Sequence, residues 1–170
     1  MFKKYFFDLS LKIGVAGALG QSLYFFVFYL MGTKACDKIY LFDFWIPSIF
    51  IALIIKFYRD KLNQGVLRFW EGLSLGMQVL FWTCFLSSTI LFCYHTFIDT
   101  SFFKECMDGF LLHNLSIKEQ VIKESGAQAY ETATAEIKQI SVLSLIVWKY
   151  ILTFLSNVIS IILFSILFRR

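Results

Sequence analysis

A chain of 170 residues that is 58% apolar and only 16% charged has too little polar surface to be a well-solvated globule, and its 21 Phe would leave many rings in water. The net charge of +4 sits in short clusters instead of along one polar face, which excludes a nucleic-acid-binding surface and suits lipid headgroups. The length serves one domain.

Four apolar stretches fill most of the chain: residues 13–31, 40–57, 73–97 and 142–168. At about 1.5 Å of rise per residue, each is long enough to cross a hydrocarbon core of about 30 Å. They predict an all-α membrane protein with four transmembrane helices. Lys3 and Lys4 ahead of Ala16-Gly17-Ala18 imitate a cleaved signal, but Asp8 and Lys12 interrupt the stretch and apolar residues continue to Met31. The first helix is therefore expected to be retained.

Within the first span, Gly14, Gly17, Ala18 and Gln21 recur at i, i+3, i+4 and i+7, a face on which backbones can approach closely and an amide can bond across. It serves either packing inside the bundle or a homodimer. The second span holds the only proline, Pro47, whose ring is expected to bend the helix near residue 43. Asp43 lies there, about one turn below the outer surface. It is either a carboxylate reached by interfacial water or one half of an intramembrane ion pair. Gln78 in the third span and Asn157 in the fourth are the polar side chains expected at mid-depth. In the fourth span, the apolar run from Ile151 to Phe168 alone nearly crosses the bilayer, which sets Lys149 at the outer boundary between Trp148 and Tyr150. Lys149 is either an anchor there or the partner of Asp43.

The segment at 100–140, between spans three and four, reads as an amphipathic helical hairpin. Asp99-Thr100-Ser101 can cap a helix whose apolar side carries Phe102, Phe103, Cys106, Met107, Phe110 and Leu111. Ser116 with Glu119 forms a capping-box pattern for a second helix, Ser125-Gly126 interrupts it, and the run from Ala127 is expected to enter span four without a break. Basic residues cluster at Lys3, Lys4 and Lys12, then Lys56, Arg59, Lys61 and Arg68, then Arg169 and Arg170, which all belong to one side if the helices alternate. Acids such as Glu105, Asp108, Glu119, Glu131 and Glu136 outweigh the lysines of the hairpin. The positive-inside rule therefore predicts both termini in the cytoplasm and the hairpin outside.

Four spans with four cysteines invite a thiol-redox reading, but Cys36, Cys84, Cys93 and Cys106 form no CxxC pair. Cys84 and Cys93 would lie about 13 Å apart along one helix, beyond the roughly 7 Å limit for a disulfide. Cys36 and Cys106 share the outer side and are either a structural disulfide or two free thiols. His95 and His113 are isolated, so no metal site or cofactor is expected, and no catalytic constellation is found. His95 reads as an interfacial side chain.

The stretch Tyr58-Arg59-Asp60, then Gly65, Gly72 and Gly76, with Phe97-Ile98-Asp99 closing span three, resembles the domain of unknown function 4199 family. The resemblance implies a small four-helix protein of the inner membrane in Bacteroidetes-type bacteria, with no enzyme activity. This chain has Thr100-Ser101 where Pro-Asp is usual in that family. For function, the sequence favours a non-catalytic accessory protein or subunit of a cell-envelope complex. Its partners would be the lipid bilayer and other membrane proteins or a second copy. A small transporter or channel is the first alternative and a membrane thiol-redox protein the second.

Overall fold

The computed structural model of the chain describes residues 2–33 and 43–169. These residues form helices and short connections, with no strand among them. In chain order the helices are α1 (Phe2–Leu30), α2 (Trp45–Phe57), α3 (Phe69–Cys93), α4 (Ser101–Ser116), α5 (Lys118–Ser125), α6 (Ala127–Gln139) and α7 (Val142–Leu167). α2 and α3 each run on into a π-helical turn, Tyr58–Leu62 and Tyr94–Ile98. Among the described residues, three stretches are long and apolar enough to cross a membrane: Phe6–Leu30, Phe69–Ile98 and Val142–Leu167. The second predicted span appears as the 13-residue α2, and residues 40–42 at its start lie outside the described ones.

α3 is the centre of the bundle, packing against α1, α2 and α7, while α2 also touches α1 and α7. Small residues explain how these helices come so close. A Cβ on Gly14 would stand 2.5 Å from Trp82 Cβ, and one on Gly17 would stand 2.7 Å from Thr83 Oγ1. The Gly14–Gly17–Ala18 face of α1 is thus occupied by α3 of the same chain. On the other side of α3, a Cβ on Gly76 would meet Ile161 Cγ2 at 2.7 Å. Around these approaches Ile51, Ile54 and Ile55 of α2, Leu75, Val79 and Leu80 of α3 and Ile161 of α7 form the main apolar core. Outside it, large apolar side chains such as Leu19, Leu23, Leu53, Leu155 and Ile159 are exposed, as lipid-facing surface requires.

Pro47 falls in the first turn of α2, where its nitrogen has no intrahelical partner to lose, so it starts the helix and does not bend it midway. The predicted capping box at Ser116 and Glu119 is absent: Ser116 Oγ donates to the His113 carbonyl, and α5 begins at Lys118 with no side-chain cap. Nor does the helix from Ala127 run on into the last span. α6 stops at Gln139, Ile140 is extended, and Ser141 caps α7, accepting from Ser144 N at 3.1 Å while Ser144 Oγ accepts from Ser141 N at 2.9 Å. Two serines competing for backbone groups end one helix and open the next. Gly126 does make the expected break, at φ 89°. α6 packs against α5 and α4.

Candidate functional site

Lys149 Nζ lies 2.7 Å from Asp43 Oδ2. Asp43 is 1% exposed, so this carboxylate is removed from interfacial water. Gln21 Nε2 donates to the same oxygen at 3.0 Å, and Ser87 Oγ donates to Gln21 Oε1 at 3.0 Å. One polar chain therefore links α7, the approach to α2, α1 and α3. Opposite charges at this distance offset one another in an apolar surround where either alone would be costly.

Lys149 stands within α7, not at its start. Because Ser141 starts α7 at Val142, about two turns of helix precede Lys149, roughly 10 Å. Gln21 lies about 14 Å along α1 from its Leu30 end. The bundle interior thus carries an acid–base pair as well as the amides and hydroxyls anticipated there.

A second polar layer follows on the same stripe of α7. Asn157, fully buried, donates from Nδ2 to the Phe44 carbonyl at 3.1 Å and to the Thr153 carbonyl at 2.9 Å. Its Oδ1 accepts from Ser48 Oγ at 2.7 Å, and Ser48 Oγ is 3.1 Å from Ser160 Oγ. Lys149, Thr153, Asn157 and Ser165 recur at multiples of four in the most apolar of the three long helices. That periodicity was available in the sequence as the mark of an inward polar stripe. Ser87 and Ser48 had no comparable signal, because lone hydroxyls in an apolar helix often bond to their own backbone.

Asp43 Oδ1 is buried without a hydrogen-bond partner. Beside the cluster lies a cavity of about 10 Å³ bordered by Gln21, Ser87, Lys149 and Thr153. This is about the size of one water molecule. The arrangement can hold helices together through a neutral pair of charges, and its one unsatisfied oxygen can accept one further hydrogen bond. Among the described residues, no three His, Cys, Asp or Glu side chains gather as metal ligands.

The other predicted positions are spread along the bundle. Tyr58 is buried, edge-on to Phe6 with ring centres 5.5 Å apart. Arg59 pairs with Asp60 at 2.6 Å and lies over the Phe168 ring at 5.4 Å. That guanidinium holds the Asp60 carboxyl below its usual range. Gly65 turns the chain at φ 84°, and Gly72 and Gly76 face Ser165 and Ile161 of α7. Phe97 is exposed. Asp99 caps α4, accepting from Ser101 N at 2.9 Å and from the Tyr29 hydroxyl of α1. Those donors, Ser101 first and Tyr29 next, hold its carboxyl down at about 2.

His95 is buried, not interfacial. It stacks on Phe102 at 4.7 Å and meets Phe25 edge-on at 5.3 Å, in the aromatic cluster that docks α4. Cys84 and Cys93 are free thiols. Cys106 is buried and is not a free thiol, while Cys36, its expected partner, lies outside the described residues.

A family model described as a protein of unknown function, DUF4199, matches residues 12–169. The chain belongs to the DUF4199 family. The match takes in the buried pair of this DUF4199 member, both polar layers and α4–α6. Comparison with curated proteins and with solved structures gives no match.

Proposed function

We propose that this chain is a four-span protein of the bacterial inner membrane, with both termini in the cytoplasm and α4–α6 outside. In that setting it is a non-catalytic component of a cell-envelope assembly. The observation that carries the reading is the inward pairing of Asp43 with Lys149: the strongest polar groups of the bundle are committed to joining its helices. Its outward face, by contrast, is apolar along the whole of α7, from Leu152 and Leu155 to Leu163 and Ile166, where lipid or a neighbouring helix can pack. α2 continues an apolar pattern that begins at Tyr40, and the basic clusters alternate as a four-span N-in, C-in chain requires.

Crosslinking in native membranes followed by affinity capture tests the assembly role. A stoichiometric membrane partner or a second copy is expected, and isolation of an unaccompanied monomer would refute the role. A cysteine introduced at Glu131 tests the topology: it should react with an impermeant reagent from the periplasmic side and not in inverted vesicles.

A second reading, a small ion-coupled transporter, is favoured by the unpartnered Asp43 Oδ1 beside the small cavity. Flux into liposomes that disappears in Asp43→Asn would establish it in place of the assembly role.

A further inference from the structure

At the end of the bundle carrying Arg59 and Asp60, a cavity of about 440 Å³ opens between the start of α3 and the end of α7. Leu67, Phe69 and Trp70 supply apolar wall, and Arg68 and Arg169 supply two guanidiniums. Leu67 is 1% exposed, whereas Trp70 is 71% exposed. The cavity is thus walled by a packed aliphatic side chain on one part and an open indole on another.

Neither Asp60 nor Glu71 forms an ion pair with these two guanidiniums. Asp60 pairs with Arg59, and Glu71 Oε2 accepts from Arg68 N at 3.0 Å and from Asn63 Nδ2 at 3.2 Å. Among the described residues, neither Arg68 nor Arg169 forms an ion pair. Two cations without a carboxylate border one amphiphilic recess, and Lys56, Arg59 and Lys61 add to the positive field of this end.

We propose that this recess binds an anionic phospholipid through its headgroup phosphate. The two guanidiniums match phosphate oxygens in forked geometry. Phe69 and Trp70 take the place that aromatic side chains hold at the boundary between headgroups and acyl chains. A free inorganic anion would use the arginines and leave Leu67, Phe69 and Trp70 idle, so the mixed lining selects a lipid. The inference rests on the chain being membrane-embedded and is independent of which side this end faces.

The test is native mass spectrometry of the full-length protein in detergent, titrated separately with phosphatidylglycerol and phosphatidylethanolamine. One phosphatidylglycerol should be retained about tenfold more tightly than phosphatidylethanolamine. Arg68→Gln/Arg169→Gln should abolish that preference. Lys56→Gln/Lys61→Gln, which removes the same charge outside the recess, should keep it, and Trp70→Ala should weaken binding with no change in charge. Circular dichroism checks folding. If the glutamine pair unfolds, Arg68→Lys/Arg169→Lys replaces it and should bind more weakly than wild type at equal charge. Equal retention of the two lipids, equal loss in the lysine control, or displacement of the lipid by millimolar inorganic phosphate would each overturn the proposal. Failure of the membrane reading itself would appear differently, as protein recovered from the soluble fraction.

Discussion

Replacing Lys149 by Met strands a carboxylate. The Asp43 side chain is 2% exposed and would keep only Gln21 as a donor to Oδ2, with Oδ1 still unpartnered. Removing one member of a buried pair typically costs about 3–5 kcal/mol, most of it the penalty of the charge left behind. The converse variant, Asp43→Asn, is milder. Lys149 is 20% exposed on a flexible stem that can turn toward water, so about 1–2 kcal/mol is expected. In Asp43→Asn/Lys149→Met no charge remains and Gln21 can still bond to the new amide, so the double variant should lose only about 1–2 kcal/mol. The coupling between the two sites is then about 2 kcal/mol or more, well above the roughly 0.6 kcal/mol typical of a single hydrogen bond between membrane helices. Reversible unfolding in mixed lipid–detergent micelles, followed by circular dichroism against the fraction of denaturing detergent, measures all four proteins. A double variant whose loss equals the sum of the two single losses would refute the claim that the pair acts as a unit.

Gly76→Val should destabilise by about 1–3 kcal/mol in the same assay, since its Cβ would stand 2.7 Å from Ile161 Cγ2. Gly109→Ala, in α4 with nothing within 4 Å, should instead stabilise by up to about 1 kcal/mol. The depressed carboxyl of Asp99, at about 2, contributes stability that is complete above its unfolded value near 3.8 and disappears as pH falls through about 2. Unfolding measured from pH 5 downward should therefore show a slope that Asp99→Asn removes and Tyr29→Phe reduces. Alkylation of the denatured, unreduced protein should label Cys84 and Cys93 and leave Cys36 and Cys106 unlabelled, and labelling of all four would exclude a Cys36–Cys106 disulfide.

The long apolar helices were legible because period and length leave few alternatives for runs such as Val142–Leu167. The Gly14–Gly17–Gln21 face was equally legible as an approach surface, since small residues at helical spacing have few other uses. Depth was harder. Counting 18 apolar residues from Ile151 sets Lys149 at a boundary of the apolar run, whereas the start of α7 is set by a local contest at Ser141 and Ser144 that hydropathy does not register. Pro47 misled for a related reason: whether a proline bends or begins a helix depends on where the first turn falls. His95 next to Tyr94 looked like a belt residue because the rings that enclose it, Phe25 and Phe102, come from distant parts of the chain.

The central place of α3, together with the distance in sequence between Asp43 and Lys149, has a consequence for biosynthesis. Ribosomes deliver this chain from its amino end at about 5–20 residues per second. The acid on the approach to the second helix is therefore made several seconds before its counter-cation. Until α7 is made, Gln21 of the first helix is already in place as a donor to that carboxylate. The helix made last thus supplies the cation that balances an acid made near the start of the chain.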